Sequence, residues 1–216
     1  MKKELKLLLS ALAAGVCIGI GGIIYVSLFS VSKIVGAFLF ALGLFTIICY
    51  QFSLFTGKVG YIFENKISYL LDLLIIWIGN FLGTLFVALL YRHTRMFSNE
   101  ANQILQNIVM AKQNDQPLSI FILSLFCGML MYIAVNTQRK ENIHPIFKLL
   151  AIFICVAGFI LCGFEHVIAN MFYISVSGLW SFKIVLYLLL MTLGNGIGSL
   201  IIWGFEKGII MKKQSN

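Results

Sequence analysis

The chain has 216 residues, of which 60% are hydrophobic and 11% charged, whereas a soluble domain usually has about 45–50% apolar and about 25% charged residues. Its mean hydropathy of +0.97 excludes an ordinary soluble globule and a disordered chain, and indicates a protein that lies in a lipid bilayer. The net charge of +8 does not indicate nucleic-acid binding, because Lys and Arg are scattered at the ends of apolar runs.

Six apolar segments long enough to cross a bilayer follow one another along the chain. Counted as runs free of Asp, Glu, Lys and Arg, they are Leu7–Ser32, Ile34–Gly57, Leu73–Tyr91, Gln116–Gln138, Leu149–Phe164 with Val167–Phe182, and Ile184–Phe205. The first segment begins like a signal peptide but is too long for one, so we interpret it as a retained transmembrane helix. The sequence predicts an all-α integral membrane protein with a single transmembrane domain over residues 1–216.

Lys and Arg are distributed unequally over the two sides of such a bundle. If the N-terminus is cytoplasmic, the cytoplasmic segments carry Lys2, Lys3, Lys6, Lys58, Lys66, Arg139, Lys140, Lys148, Lys207, Lys212 and Lys213. The opposite side carries Lys33, Arg92, Arg95, Lys112 and Lys183. The positive-inside rule therefore predicts a multi-pass protein of the plasma membrane with both termini in the cytoplasm. The longest connection, Arg92–Pro117, has room for an extra surface helix.

Two similar motifs indicate an internal repeat. The third segment contains GNFLGTL from Gly79 and the sixth contains GNGIGSL from Gly194, so both fit Gly-Asn-x-x-Gly-[Ser/Thr]-Leu. The segment before each motif is interrupted, at Gln51–Gly57 in the second segment and at Gly163–His166 in the fifth. Small residues at four-residue spacing let helices approach closely in lipid, so we interpret the glycines as packing positions.

These features predict two three-helix repeats, about 5–92 and about 117–208, in which helices 2 and 5 are broken. Because each repeat has an odd number of helices, the two repeats are inverted relative to one another in the membrane. Broken helices at corresponding positions indicate a substrate site near the middle of the bilayer, since unwound backbone lines a cavity rather than facing lipid. We expect this site around Thr56 and His166.

Glu165 and His166 form an ionisable pair deep within an apolar run. A carboxylate at the bilayer centre costs at least about 2.5–3.5 kcal/mol unless it is paired or hydrated, which favours a functional role. A histidine there can meet an anion or lend it a proton; the alternative is a structural hydrogen bond between helices. For Glu165 the sequence leaves open an orienting role, a helix cap or a structural hydrogen bond. The hydroxyl of Thr56 either serves the same site or bonds the local backbone.

The run Gly163–Phe172, GFEHVIANMF, resembles the signature of the formate/nitrite transporter family. The resemblance extends to Phe40–Leu44, to Leu54–Gly57 and to both Gly-Asn motifs, and so covers essentially the whole chain. It implies an aquaporin-like fold that assembles as a homopentamer in a bacterial cell membrane. Each protomer would then be a channel domain with its own pore for small monovalent anions such as formate, nitrite, lactate or hydrosulfide.

The resemblance also assigns roles to individual residues. The family's central histidine and loop threonine, which meet the substrate between two hydrophobic constrictions, match His166 and Thr56. The constriction that faces outward would consist of Phe40 and Phe159. The constriction that faces the cytoplasm would consist of Leu44, Phe55 and Met131. The residues expected to support the site are Glu165, Asn170, Asn80 and Asn195.

The sequence departs from the family pattern at two positions. Where many members have an asparagine in the middle of the fourth helix, the alignment places Gly128, so one polar group on the pore side would be missing. A basic residue that attracts anions near the outer end of that helix matches Lys112, which is equally consistent with a plain loop lysine.

We expect a small anion to bond His166 and Thr56 and to pass the constrictions largely as the neutral acid, because a bare charge in a medium of low dielectric is costly. The alternative is a pore of the same architecture for water or glycerol, which the lack of an Asn-Pro-Ala motif disfavours. The sequence has no nucleophile motif such as Gly-x-Ser-x-Gly and too few membrane histidines for haem or a metal, so we expect no enzyme activity and no cofactor. The expected partners are the anion, protons and lipid.

Overall fold

The computed structural model describes the backbone of residues 3–214 and the side chains of residues 3–208. Over this part of the chain the α-helices are α1 (Lys3–Leu28), α2 (Lys33–Cys49), α3 (Phe55–Lys58), α4 (Tyr69–Arg92), α5 (Asn99–Gln113), α6 (Pro117–Gln138), α7 (Pro145–Leu161), α8 (Val167–Ser177) and α9 (Phe182–Gln214). A 3-10 helix, Val59–Glu64, directly continues α3. The described residues contain no strand, so the prediction of an all-α protein is confirmed.

Among the described residues, four helices have the length and composition of membrane spans. They are α1, α4, α6 and residues 182–208 of α9, whereas the apolar helices α2, α7 and α8 are shorter. Large apolar side chains such as Leu74, Phe86 and Leu189 are more than half exposed on α4 and α9. Lipid is a good solvent for such side chains, whereas in water an apolar surface of this extent leads to association.

The two predicted interruptions lie where α2 and α7 end. After α2 the chain turns at Gln51, a residue other than glycine with a positive φ of 57°. After α7 it turns at Gly163, where φ is 69°. In both turns an N–H group donates back to the last turn of the helix, from Phe52 at 2.9 Å and from Phe164 at 2.8 Å. The same backbone turn therefore ends both helices, and α3 and α8 begin shortly after it.

The glycine motifs hold two pairs of helices in close contact, α1 with α4 and α6 with α9. A Cβ atom on Gly83 would overlap the carbonyl oxygen of Leu12, and one on Gly198 would overlap that of Leu125. Only hydrogen fits at these positions, so the interpretation of the glycines as packing positions is confirmed.

The connection between α4 and α6 contains the extra helix for which the sequence left room. This helix, α5, buries Ala101, Leu105 and Val109 against the bundle. We call the side of the bundle on which α5 lies the α5 side, and the opposite side, where α1 begins and α2 ends, the N-terminal side. The Trp203 indole and the Lys207 ammonium near the end of α9 both contact the Glu64 carboxylate on the N-terminal side.

Candidate functional site

Thr56 and His166 meet in the interior of the bundle, where the two interruptions face each other. Thr56 Oγ1 lies 2.9 Å from His166 Nε2. Thr56 is 1% exposed and His166 is 2% exposed. The structure therefore brings together the two residues that the sequence singled out, although they are far apart along the chain.

The backbone of α8 determines which nitrogen of His166 carries the proton. His166 is the N-cap residue of α8, and its Nδ1 accepts a hydrogen bond from the Ala169 N–H at 3.1 Å. A neutral imidazole that accepts at Nδ1 has its hydrogen on Nε2, so Nε2 donates to the Thr56 hydroxyl. The ring also stacks on Phe159, with 5.3 Å between the ring centroids.

These contacts decide two alternatives that the sequence left open. His166, not Glu165, caps the helix, because the Glu165 side chain turns away toward another partner. The Thr56 hydroxyl bonds the imidazole and not its local backbone, so the interpretation as a local bond is wrong.

The partner of Glu165 is Lys112. The Lys112 ammonium lies 2.9 Å from both carboxylate oxygens of Glu165. The Lys112 side chain is 14% exposed and the Glu165 side chain is 4% exposed. The Asn170 amide donates to the same carboxylate at 2.7 Å and to the His166 carbonyl at 3.0 Å. Lys112 lies in α5 and is paired, so its interpretation as a plain loop lysine is wrong. Each charge offsets the cost of burying the other.

Two cavities approach the contact between Thr56 and His166 from opposite sides. The α5 vestibule has a volume of about 320 Å³, and its lining includes Lys112, Phe159, Glu165, His166 and Tyr173. The N-terminal vestibule has a volume of about 660 Å³, and its lining includes Leu44, Ser53, Gly57, Glu64 and Arg139. Both are open at the surface.

Apolar side chains fill the space between the two vestibules. Phe40 packs edge-on against Phe159, with 6.2 Å between the ring centroids, and both residues are buried. Leu44 lines the N-terminal vestibule and is 1% exposed, and Met131 is buried in the same core. A solute that passes from one vestibule to the other must therefore displace hydrocarbon as well as reach the imidazole.

Phe55 does not belong to this set. Its side chain lines a separate apolar cavity of about 390 Å³ between α4 and α9, together with Leu73, Trp77 and Gly196. The assignment of Phe55 to the cytoplasmic constriction is wrong, because its side chain faces α4 and α9 and does not line the N-terminal vestibule.

The interruptions are held by two buried asparagines, one from each Gly-Asn motif. Asn80 of α4 accepts from the N–H of Phe55 and donates to the carbonyl of Ser53. Asn195 of α9 accepts from the N–H of Val167 and donates to the carbonyl of Glu165. Both asparagines are 0% exposed.

The family of the chain follows from its similarity to known proteins. A family model described as "Formate/nitrite transporter" matches residues 2–206 of the chain. The chain belongs to the formate/nitrite transporter family.

Curated and solved relatives extend the match. The chain is 30% identical to "Nitrite transporter NirC" of Salmonella typhimurium over 90% of its own length and 79% of that protein. It superposes on a solved "FNT family ion channel" with a TM-score of 0.82 at 27% identity, covering 96% of this chain and 91% of the other. A "Pentameric formate channel with formate bound" gives a TM-score of 0.81 at 24% identity, covering 96% of this chain and 97% of the other, which shows the fold alone.

Gly128 was expected to mark a polar group missing from the pore of a formate/nitrite transporter. In the structure a Cβ atom on Gly128 would overlap the backbone carbonyl of Asn195, so this position faces α9 and not the pore. A Cβ atom on Gly15 would likewise overlap the backbone carbonyl of Asn80. The expectation for Gly128 is wrong, because a side chain of any size is excluded there by the close contact between α6 and α9.

Sequence reasoning missed Leu54. Asn80 bonds the backbone on both sides of Leu54. Asn195 bonds the backbone on both sides of His166 in the same way. Leu54 and His166 therefore occupy equivalent places. Leu54 is 2% exposed and is the N-cap residue of α3. Alignment through the Gly-Asn motifs does not find it, because the number of residues between the interruption and the motif differs between the two halves of the chain.

Proposed function

We propose that the protein is a membrane channel for small monovalent anions or their weak acids, of the formate, nitrite, hydrosulfide or lactate class, and that passage past His166 is linked to a proton. Membership of the formate/nitrite transporter family supports a transport function over an enzymatic one. The names of its relatives, a nitrite transporter and an ion channel, support an anion as the substrate.

The observation that carries this proposal is the bond between Thr56 and His166. It lies between the α5 vestibule and the N-terminal vestibule, at the point where two interrupted helices leave backbone and polar side chains in an otherwise apolar interior. A hydroxyl and an imidazole at this point can replace part of the hydration shell of a small solute. They can also exchange a proton with it.

Passage of a bare anion between the vestibules is costly, because the aromatic and aliphatic side chains there offer it no compensating charge. Lys112 supplies a positive charge within the α5 vestibule, but Glu165 neutralises it through a pair of hydrogen bonds. An anion that takes the Nε2 proton of His166 loses its charge and then crosses at a much smaller cost, and the imidazole regains a proton from water in the vestibule. The Lys112 ammonium keeps one N–H beyond the two that bond Glu165 and can donate it to the anion, and Thr56 orients the solute.

We also propose how the chain is arranged in the membrane. The six segments would be α1, α2 with α3, α4, α6, α7 with α8, and α9, which form two inverted repeats within one channel domain over residues 1–216. The shared turns at Gln51 and Gly163 and the shared bonds of Asn80 and Asn195 support this repeat. The excess of Lys and Arg on the N-terminal side supports cytoplasmic termini in a bacterial plasma membrane.

We also propose that the chain forms a homopentamer in the bilayer. The fold match to a pentameric formate channel supports this assembly. Many leucine, isoleucine and phenylalanine side chains of α4 and α9 are exposed in the isolated protomer, which leaves ample apolar surface for contact with neighbouring copies as well as with lipid.

The function is tested by flux into proteoliposomes loaded with a pH-sensitive dye, with formate, nitrite, lactate, hydrosulfide and glycerol compared for the wild type and His166→Ala. We expect anion uptake to bring protons, to rise as the external pH falls, and to lose this pH response in His166→Ala. His144→Ala is the matched control, because His144 is an exposed residue on the N-terminal side and should behave as the wild type does.

Two results would overturn the proposal. Equal anion flux in the wild type and His166→Ala at every pH would remove the histidine from the mechanism. Passage of glycerol or water without any anion would favour the alternative function, a pore of the same architecture for neutral solutes.

A further inference from the structure

The side chain of Asn195 makes three hydrogen bonds, and they reach three different segments. Its Oδ1 accepts from the Val167 N–H at 2.9 Å. Its Nδ2 donates to the Glu165 carbonyl at 2.8 Å and to the Ser124 carbonyl of α6 at 2.8 Å. The two residues bonded in the second interruption are the neighbours of His166 on either side. The amide thus ties α6 and α9 to the backbone that carries the imidazole.

Asn80 makes the corresponding bonds in the first half of the chain. Its Oδ1 accepts from the Phe55 N–H at 2.8 Å. Its Nδ2 donates to the Ser53 carbonyl at 2.9 Å and to the Ala11 carbonyl of α1 at 2.7 Å. The residue directly after Phe55 is Thr56. The amide therefore ties α1 and α4 to the backbone that carries the threonine hydroxyl.

We propose that Asn195 and Asn80 are positioning residues for the pore, which together set the separation of His166 and Thr56 and so govern proton-linked passage. The inference rests on the function proposed above, and it assigns to the two Gly-Asn motifs a role beyond helix packing. Neither amide touches the solute. Asn195 acts through the backbone on both sides of His166, and Asn80 acts through the backbone on both sides of Leu54.

The chemistry of an asparagine side chain matches the backbone groups that it meets at these two positions. Each interruption presents a free N–H at the start of a helix and a free carbonyl just before it, and the adjacent spanning helix presents a further carbonyl. One acceptor and two donors are needed, and a primary amide supplies this set. Aspartate would place oxygen against two carbonyl oxygens, and leucine would leave the N–H and the carbonyl of each interruption without their side-chain partner.

Packing alone does not account for these bonds. Ser199 lies one turn further along α9, is also 0% exposed, and donates to the carbonyls of Gly128 and Asn195. Its hydroxyl holds α6 against α9 without touching the interruption. Ser199 therefore provides a matched control in which a buried polar side chain of the same helix is lost while the backbone beside His166 keeps its partners.

The proposal is tested in the reconstituted full-length protein labelled with ¹⁵N-histidine. The chain contains three histidines, and the signals of His166 are identified by comparison with His166→Ala. In the wild type we expect a neutral imidazole with hydrogen on Nε2. In Asn195→Asp we expect both His166 nitrogen signals to shift or broaden. In Asn80→Asp we expect the Nε2 signal to change through Thr56 while the Nδ1 signal, set by Ala169, is retained.

The same variants are compared for formate uptake as a function of pH. Asn195→Asp should lower uptake at acid pH by at least about tenfold and flatten the pH profile, whereas Ser199→Ala should retain both within about twofold. Asn195→Ser, which keeps one donor and one acceptor in a smaller side chain, should fall between them. This variant also tests the proposal if Asn195→Asp does not fold.

Three outcomes would overturn the proposal. They are unchanged His166 signals in both Asn195 variants, a change in Ser199→Ala as large as that in Asn195→Asp, or a loss of flux with an unaltered pH profile. If the wild type carries no anion at all, the proposed function fails, whereas the histidine spectra still report whether Asn195 positions the imidazole.

Discussion

At the first interruption, between α2 and α3, the residues that precede the helix are Ser53 and Leu54. At the second, between α7 and α8, they are Glu165 and His166. The backbone is alike in both places, because each turn has a positive φ and each is held by a buried asparagine. The two interruptions therefore differ in side chains and not in framework.

The surroundings of the two interruptions differ in charge. The Ser53 hydroxyl accepts from the Ser10 hydroxyl at 3.1 Å, which is a neutral pair at the rim of the N-terminal vestibule. Glu165 pairs with the ammonium of Lys112 in the α5 vestibule. The following helix differs as well, since α8 is regular whereas α3 passes into a 3-10 helix after four residues. The same backbone turn thus carries an ion pair in the second interruption and a neutral pair of hydroxyls in the first.

The strongest test of this contrast removes the acidic residue of the second interruption. Glu165→Ala leaves the Lys112 ammonium buried without its partner, so we expect the protein to lose about 3–5 kcal/mol of stability. Ser53→Ala, at the equivalent place, should cost about 1 kcal/mol, because it removes one neutral hydrogen bond. Thermal denaturation of the purified variants in detergent measures both, and similar losses would show that the two interruptions do not differ in charge as described.

A second test examines the shared framework. Gly15→Ala and Gly128→Ala each place a methyl group against the backbone carbonyl of an asparagine, Asn80 or Asn195. We expect each variant to lose about 1–3 kcal/mol, since the helices must move apart. Gly204→Ala in α9 meets no atom within 4 Å and should be neutral or stabilising by up to about 1 kcal/mol. The comparison is made by unfolding in detergent, and a large difference between Gly15→Ala and Gly128→Ala would argue against equivalent halves.

The smallest expected effect concerns the polar cluster on the N-terminal side. Partial burial opposes the charge of Glu64, but hydrogen bonds from Lys207 and Trp203 outweigh it and lower the pKa of this carboxyl below its ordinary value. A lowered pKa in the folded state stabilises the protein above the ordinary carboxyl pKa, and this contribution is lost as the pH falls through the folded value.

Glu64→Gln should therefore be less stable than the wild type by at most about 1 kcal/mol near neutral pH, and this difference should disappear as the pH falls through the lowered pKa of Glu64. The melting temperatures of the two proteins in detergent, measured across this range, check the expectation. A difference that grew toward acid pH would contradict the sign of the shift.

The positions of the interruptions and the meeting of Thr56 with His166 could be predicted from sequence. Polar and small residues inside an apolar run stand out, and the repeated Gly-Asn motif relates the two halves. The direction of Phe55 could not be predicted, because it depends on where α3 begins and on how α3 packs against α4 and α9. Nor could the orientation of Gly128, since a glycine gives no sign of which face of α6 it occupies.

The partner of Glu165 was also beyond sequence reasoning. A buried carboxylate requires a partner, but several lysines could have supplied it. The choice of Lys112 depends on how α5 folds back over the bundle, which is a long-range contact between elements that are not adjacent in the chain.

The place of Lys112 in α5 has a consequence for how the proposed pore can change. The ammonium that pairs with Glu165 comes from the connection between α4 and α6, and so lies outside both proposed repeats. Loss of either partner alone would leave the other charge buried and unpaired. Because Asn80 and Asn195 bond backbone atoms of the interruptions and not these two side chains, Lys112 and Glu165 can be replaced together while the bonds that hold the two interruptions are kept.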